Sequence, residues 1–485
     1  MLWSKQLWRV QQSGKFIIFA VYFSIFLDNL LLSVVVPIIP DILYKLENSS
    51  LREAILNGVK KNVSTNECIE MYRKSLDCQN YSHNSIEFHQ RIIPYDIHNE
   101  NEEVGLLLAS KAIVQLILNP IIGPLTNRIG NKTPIFFGVL MLLLSSLMFA
   151  FGNTFSILFA ARSIHGVGSS CITIGGMAVI ADRYQDDHER SRIMGIVMGG
   201  IAAGVLVGYP LGGIMYDFVD QSAPLLVVAS FLVLDAVLLL VVLRPRLEPE
   251  RLLVGTSIRK LMFDPYILLA SGAISMSTFS IAILEPCLPI WLMESMSPPK
   301  WQLGTVFIPD SLGYFIGTNF FGEVGFKVGR WRTAMISLVT VGICALTIPF
   351  SKHVLQLVIP HFGLGLGIGV IDASLMPLLA NVVDIRYVAI YGNVYAIAEI
   401  AVCLAYSIGP LLGGYLVKVM GFTWVLRSIG ILNLLYCPLC YFLKDIPSLE
   451  DENMAINLKG RDFDMKKQSS NVEGRTSYAS FVNEE

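Results

Sequence analysis

The stretch GPLTNRIGNK, residues 123–132, decides the fold because a counterpart of it occurs later in the chain. That counterpart is GEVGFKVGRWR, residues 322–332, which has the same order of glycines followed by basic residues. Each stretch ends one apolar run and precedes another, as a short turn between two membrane helices would. The pair therefore indicates that one structural unit occurs twice.

Two further pairs support this duplication. GVLVGYPLGG at residues 204–213 matches AYSIGPLLGG at residues 405–414, and PIIP at residues 37–40 matches PCLP at residues 286–289. The partners in each pair are six apolar segments apart. Three matches in the same register predict a duplicated six-helix unit, an arrangement that is typical of transporters.

Composition places most of the chain in a membrane. Of its 485 residues 53% are apolar and 15% are charged, whereas a soluble domain carries about 25% charged residues. Apolar runs of about 20 residues recur, which is the length that crosses roughly 30 Å of hydrocarbon. We predict an all-α membrane protein with twelve transmembrane helices in two six-helix repeats and the lipid bilayer around it. The predicted spans are 16–44, 104–125, 133–152, 155–181, 192–217, 222–244, 264–292, 301–324, 332–350, 354–380, 387–417 and 423–444.

Lys and Arg in the short loops predict the orientation. The short loops on the side of the termini carry 14 basic residues and those on the other side carry three, which by the positive-inside rule makes both termini cytosolic. The chain then divides into an N-terminal tail (1–15), an N-terminal half (16–244), a cytosolic linker (245–263), a C-terminal half (264–444) and a C-terminal tail (445–485). The net charge of −2 and the absence of a basic cluster give no support to a nucleic-acid partner.

The long loop 45–103 lies on the predicted lumenal side. Glycosylation takes place on the lumenal side of the membrane, so the presence of three sequons in this loop favours their use. They begin at Asn48, Asn62 and Asn80. Cys68 and Cys78 are the only two of the eight cysteines in the loop. Because the lumen is oxidising, a disulfide between them is predicted.

Seven ionisable residues fall well inside the predicted spans. Each costs about 2.5–3.5 kcal/mol or more at the centre of a bilayer and is a functional candidate by default. They are Asp28, Lys111, Arg162, Asp235, Glu285, Asp372 and Glu399. Five carboxylates against two cations suit a cationic cargo together with exchangeable protons. Carboxylates with and without a nearby cation titrate at different pH, which proton coupling requires.

Structural roles compete with these functional ones. Lys111 and Glu399 can neutralise each other, as a structural or a gating pair, and Asp235 lies in a peripheral span. Glu285-Pro286 interrupts the seventh helix beside Trp291 and frees backbone groups that can line a cavity. Four residues at spacings of four and three share a helix face with Glu399, and such a stripe serves either packing or the attraction of an ammonium ion. They are Tyr391, Tyr395, Cys403 and Tyr406.

Several stretches together resemble the vesicular amine transporters, a family within the major facilitator superfamily, and most closely their monoamine branch. They include LDNLLLSVVVPIIP (27–40), ARSIHGVGSSC (161–171), LEPCLPIWLMESM (284–296) and YGNVYAIAE (391–399). The resemblance implies exchange of lumenal protons for a cytosolic cationic monoamine by a monomer in the membrane of a secretory or synaptic vesicle. No cofactor is expected, because the proton gradient supplies the energy.

The resemblance also implies roles for individual residues. The amine pocket would contain Asp28, Asn29, Glu285, Trp291, Tyr314 and Tyr406. Asn29 is expected to hydrogen-bond to Asp28, which would hold the ammonium group. Asp372 and Glu399 would couple proton movement to transport, and Lys111, Glu399 and Arg162 would form the gating ion pairs.

This sequence departs from the family at several positions. Tyr387 replaces the family's histidine after the tenth span, and His165 replaces the glutamine of the superfamily's fourth-span motif. Ser297 replaces the cysteine to which the family links its lumenal loop, so the resemblance leaves Cys68–Cys78 as the remaining pair.

Three other functions remain open at this point. They are a vesicular acetylcholine transporter, a plasma-membrane multidrug–proton antiporter and a receptor of the same fold that transports nothing. The sequence contains no metal-ligand spacing, nucleophile elbow or phosphate-binding loop, so it gives no support to an enzyme or to a metal site.

Overall fold

A computed structural model describes residues 14–36, 97–220, 222–243, 256–296 and 305–446, and this part of the chain is helical without a strand. The helices are α1 (Gly14–Val35), α2 (Ile97–Ile129), α3 (Lys132–Phe151), α4 (Phe155–Arg183), α5 (Asp187–Phe218), α6 (Ala223–Val242), α7 (Pro265–Ser295), α8 (Ile308–Val328), α9 (Arg330–Thr347), α10 (Val358–Arg386), α11 (Gly392–Met420) and α12 (Phe422–Tyr436). A helix of 5 residues, Ile258–Met262, precedes α7, and α7 continues through Pro286 without the predicted interruption. Eleven of the described helical segments are long and apolar enough to cross a membrane. α8, the remaining one of the twelve, carries Asp310, Glu323 and Lys327.

Several predicted features lie outside the described residues. They are the two cysteines of the predicted lumenal loop, Cys68 and Cys78, the sequons at Asn48, Asn62 and Asn80, the Pro37–Pro40 stretch, Ser297 and most of both tails.

The helix ends differ from the predicted spans because helices continue past their apolar cores. α5 begins at Asp187, where the prediction was 192, since the side chain of Asp186 caps it by accepting from the Glu189 amide at 2.8 Å. α2 begins at Ile97 and so takes up the last residues of the predicted loop. α11 runs to Met420 and ends at Gly421, whose φ of 80° favours glycine.

The two Gly-rich turns have the same backbone conformation. Gly130 joins α2 to α3 with a φ of 86°, and Gly329 joins α8 to α9 with a φ of 107°. Residues with a side chain rarely adopt this conformation, so each turn requires glycine at this place. The predicted duplication is confirmed by these two equivalent turns.

The other pair of glycine motifs brings helices together in the same way in each half. Gly208 of α5 lies against α1, where an added Cβ would be 2.9 Å from the Leu30 carbonyl oxygen. Gly409 of α11 lies against α7, where an added Cβ would be 2.8 Å from the Cβ of Ala282. Small residues let helix backbones approach closely in a membrane. α1 and α7, which carry Asp28 and Glu285, are therefore held in equivalent positions.

Ion pairs join the two halves at the end predicted to be cytosolic. Arg190 of α5 is buried and lies 2.5 Å from Asp384 of α10. Arg330 of α9 lies 2.6 Å from Asp187 of α5, and a longer pair of 3.7 Å joins His188 to Glu323. The bundle is thus closed at this end by charges from both halves.

Candidate functional site

Asp28 lies at the centre of a cluster contributed by α1, α2 and α4. Its carboxylate accepts a hydrogen bond of 2.7 Å from the Ser169 hydroxyl at Oδ2, and His165 Nε2 lies 3.0 Å from Oδ1. The Lys111 ammonium is 3.7 Å from Oδ2. Asp28 is only 3% exposed, so these donors replace the water that would otherwise solvate its charge.

Lys111 pairs with Asp28 in this conformation, not with Glu399 as predicted. The reason is the close approach of α2 to α4 at Gly166, where an added Cβ would lie 2.6 Å from the Lys111 carbonyl oxygen. This approach places the ammonium beside the carboxylate that α4 holds. Glu399 still acts electrostatically on Lys111. Among the described residues, however, the two side chains do not form an ion pair with each other.

A second acidic group, Glu285 of α7, faces the N-terminal half. Its Oε1 accepts a hydrogen bond of 3.1 Å from the Tyr209 hydroxyl of α5. The Arg162 guanidinium, which is 2% exposed, acts electrostatically on both Glu285 and Asp28. Arg162 Nε and Nη1 have no hydrogen-bond partner among the described residues. The central charges of the two halves are therefore near enough to influence one another.

Asp372 of α10 has far fewer partners than Asp28. Its Oδ2 accepts a hydrogen bond of 2.8 Å from the Tyr314 hydroxyl of α8, and its Oδ1 is buried without a partner in the described part of the chain. α8 and α10 meet closely here, because an added Cβ on Gly369 would lie 2.6 Å from the Tyr314 carbonyl oxygen. A tyrosine hydroxyl is thus the one described group that stabilises this carboxylate.

Glu399 of α11 is 9% exposed and interacts electrostatically with Asp372, Lys111 and Asp28. The tyrosines predicted to surround it divide between two regions. Tyr391 donates to Asp384 at 2.6 Å, and Tyr395 contacts the Met194 sulfur at 3.4 Å, so both contribute to the closed end of the bundle.

Two further pocket candidates, Tyr406 and Trp291, lie in different places. Tyr406 packs against the apolar core of the C-terminal half, as Tyr209 and Tyr314 do, and it interacts electrostatically with Glu285 and Asp372. Trp291 instead stacks on Phe422, with ring centroids 4.6 Å apart, at a separate surface cavity of about 380 Å³.

Asn29 does not bond to Asp28 as predicted. Its Nδ2 donates to the Ile25 carbonyl oxygen of its own helix at 2.9 Å. Neighbouring residues of a helix point in directions about 100° apart, so a direct contact between the two side chains is not favoured.

Asp235 of α6 is fully buried away from this cluster. Its Oδ2 accepts a hydrogen bond of 2.8 Å from Ser24 of α1, and its Oδ1 has no partner among the described residues. This contact joins a peripheral helix to α1.

Tyr387 contributes to the linker side of the bundle. Its hydroxyl donates to Asp264 Oδ2 at 2.7 Å, and Arg386 binds the same oxygen at 2.6 Å. Burial, and then the hydrogen bond to Asp264, raise the pKa of Tyr387. The hydroxyl therefore keeps its proton at physiological pH, and it serves as a tether to the capping residue of α7.

Sequence reasoning missed several polar neighbours. Neither His165 nor Tyr209 was predicted as a site residue, although each lies within hydrogen-bond distance of a central carboxylate. Ser169 follows His165 by one helical turn, and this i, i+4 spacing could have indicated a shared face. Asp310, near the start of α8, was also missed. Its buried Oδ1 has no described partner, and it interacts electrostatically with Glu285.

Comparison with known proteins gives a family and a fold. The family model of the Major Facilitator Superfamily matches residues 18–389 and 270–459. Among solved structures, the human organic anion transporter MFSD10 is similar with a TM-score of 0.68 and 15% identity, over 88% of this chain and 100% of that chain. At this identity the likeness concerns the fold alone.

Curated relatives are similar over nearly their whole length. The human synaptic vesicular amine transporter is 44% identical over 92% of this chain and 91% of its own. The rat chromaffin granule amine transporter is 40% identical over 92% and 91%. A vesicular acetylcholine transporter from Torpedo torpedo is 35% identical over 91% and 84%.

Proposed function

Since this chain belongs to the vesicular amine transporters of the major facilitator superfamily, we propose that it exchanges lumenal protons for cytosolic cationic monoamines. The observation that carries this proposal is the net-acidic cluster around Asp28, Glu285, Asp372 and Glu399 in a family of amine carriers. Serotonin, dopamine, noradrenaline, octopamine and histamine are the candidate substrates. The carrier acts as a monomer in secretory or synaptic vesicles, with both termini in the cytosol and no cofactor.

Asp28 holds the substrate ammonium in this proposal. Of the four central carboxylates it has the most donors around it, and it already holds an ammonium group, that of Lys111, 3.7 Å away. A protonated amine carries the same group and can take the place of Lys111. Glu285, Tyr314 and Tyr406 line the rest of the path, since each belongs to the central region or interacts with it.

Asp372 and Glu399 carry the protons. Both are buried, and Asp372 adds to the negative potential at Glu399. Protonation from an acidic lumen removes this potential and with it the attraction for a cation, so the amine is released. The gate at the predicted cytosolic end then opens for the next cycle by separation of the pairs Arg190–Asp384 and Arg330–Asp187. The Lys111–Glu399 pair remains a candidate contact of another conformation.

Uptake into acidified vesicles tests the proposal. Vesicles that contain the purified protein should accumulate a labelled monoamine from the outside when the lumen is acidic. An ionophore that dissipates the proton gradient should abolish this accumulation. Labelled acetylcholine tests the second candidate function, acetylcholine transport. The sequence favours this function less, because the identity to the acetylcholine carrier is 35% and the identities to the two amine carriers are 44% and 40%. Accumulation of acetylcholine without monoamine would contradict the proposal.

A further inference from the structure

His165 contacts the carboxylate that we assign to the amine. It lies on α4 with no exposed surface, and its Nε2 is 3.0 Å from Asp28 Oδ1. One turn later on the same helix, the Ser169 hydroxyl donates to the other oxygen of Asp28 at 2.7 Å. One face of α4 therefore holds both oxygens of a carboxylate that belongs to α1.

The charges around His165 favour a neutral imidazole. Lys111 from α2 and Arg162 from α4 both act on it, and Asp28 from α1 is the acidic group among its charged neighbours. A proton on the imidazole would add a third buried positive charge to this group, at a high cost in free energy. Asp28 is ionised beside Lys111 and only accepts hydrogen bonds, so the single N–H of the neutral ring belongs on Nε2. Nδ1 then carries no proton and can only accept a hydrogen bond, and it has no hydrogen-bond partner among the described residues.

We propose that His165 is a positioning residue for amine binding, which rests on the function proposed above. Its Nε2–H and the Ser169 hydroxyl fix the rotamer of Asp28 from the α4 side. When the Lys111 ammonium leaves Asp28, the carboxylate keeps its orientation and presents the same oxygen, Oδ2, to the substrate ammonium. His165 exchanges no proton during the cycle, although it is a histidine in direct contact with the binding carboxylate.

This role has a consequence for substitutions. A hydrogen bond to a charged group contributes about 1.5–3 kcal/mol, and 1.4 kcal/mol corresponds to a tenfold change in affinity. Loss of the donor in His165→Ala should therefore raise the KM for amine roughly tenfold to a hundredfold. His165→Gln supplies an amide N–H of similar reach that cannot take up a proton. This variant separates a donor, which it replaces, from a proton carrier, which it does not.

His361 of α10 offers a matched control. It is also fully buried, but its Nδ1 bonds to the Val306 carbonyl oxygen at 3.0 Å and not to a charged group. His361→Ala removes a buried imidazole of the same size from the other half of the molecule. Its effect reports the general cost of such a loss for folding and transport.

The experiment measures initial rates of labelled serotonin uptake into acidified proteoliposomes, over a range of amine concentrations and external pH. We expect His165→Ala to raise KM at least tenfold and to keep Vmax within about threefold of the wild type. His165→Gln and His361→Ala should both keep the wild-type KM and pH profile. Should the alanine variant not fold, His165→Met fills the same space without a donor and should raise KM alike.

Two results would overturn the inference alone. One is an unchanged KM in the alanine or methionine variant, and the other is a glutamine variant whose pH profile is displaced from that of the wild type. A wild-type protein that takes up no amine at all would overturn the proposed function together with this inference.

Discussion

The carboxylates of Asp28 and Asp372 lie in opposite halves of the molecule and have opposite surroundings. Asp28 has a hydroxyl, an imidazole and an ammonium around its two oxygens. Asp372 has one tyrosine hydroxyl, and its second oxygen is buried without a described partner. Both are nearly inaccessible, at 3% and 7% exposure, so burial alone does not distinguish them.

The difference between the two sites separates two tasks. The donors around Asp28 keep its negative charge stable in a buried place, which a group that binds a cation requires. Little in the described structure stabilises a negative charge on Asp372, and a proton would remove the cost of that charge. In the proposed mechanism, this difference suits the N-terminal half to holding the amine and the C-terminal half to taking up the proton.

The largest expected effect follows from removing the charge at the first site. Asp28→Asn leaves three donors facing a neutral amide, and the substrate ammonium loses its counter-ion. Because breaking a buried ion pair costs about 3–5 kcal/mol, amine uptake should fall roughly a hundredfold or more. Initial uptake rates in acidified vesicles measure this, with size-exclusion profiles as the control for folding. Full uptake by the variant would contradict the assignment of Asp28.

Removing the charge at the second site should separate coupling from binding. The asparagine of Asp372→Asn cannot take up or release a proton, so proton-driven accumulation of the amine should be lost. Exchange of labelled for unlabelled amine without a proton gradient should persist within about threefold of the wild type. Asp372→Glu should also be tolerated poorly, because its longer side chain displaces the carboxylate from the Tyr314 hydroxyl. Gradient-driven accumulation by the asparagine variant would remove Asp372 from the coupling mechanism.

An intermediate effect is expected at the closed end that joins the two halves. Arg190→Ala removes an ion pair of 2.5 Å and leaves the Asp384 carboxylate with the Tyr391 hydroxyl. The closed state should lose stability, and Vmax should fall several-fold with little change in KM. Transport assays with Lys327→Ala as control are informative, because among the described residues Lys327 pairs with Glu323 of its own helix, on an exposed surface. Equal losses in both variants would show that the effect is not specific to the gate.

The smallest effect is expected at a carboxylate that resembles Asp28 in burial but has no cation beside it. Asp235→Asn keeps an oxygen that accepts from Ser24, the contact now made at 2.8 Å. Uptake should change less than about twofold, and thermal stability by about 1 kcal/mol or less. A loss as large as that of Asp28→Asn would place Asp235 in the transport mechanism and weaken the distinction between the two halves.

Hydrophobic runs and the repeated turns were sufficient to predict the fold. The glycine motifs recur six apolar segments apart, and this recurrence specified the duplication. Only glycine adopts the backbone of Gly130 and Gly329 without strain. The helix ends were less accurate, as at α5, because a capped and charged first turn extends the helix beyond its apolar part.

The composition of the central cluster was also predictable, because charges in apolar segments are costly and conspicuous. Its pairing was not. Lys111 was assigned to Glu399, yet the approach of α2 to α4 brings it to Asp28. A pairing across helices depends on the conformation as well as on the residue types, and a transporter adopts more than one conformation. The contact between His165 and Asp28 was missed for a similar reason, since it joins residues of two different helices.

Amine binding at equilibrium, without any proton gradient, tests the division of tasks most directly. Purified wild-type protein, Asp28→Asn and Asp372→Asn would be titrated with labelled serotonin in lipid nanodiscs at neutral pH. The account predicts that Asp28→Asn loses measurable binding and that Asp372→Asn binds within about threefold of the wild type. Equal loss of binding in both variants would contradict it, because the two carboxylates would then share one task.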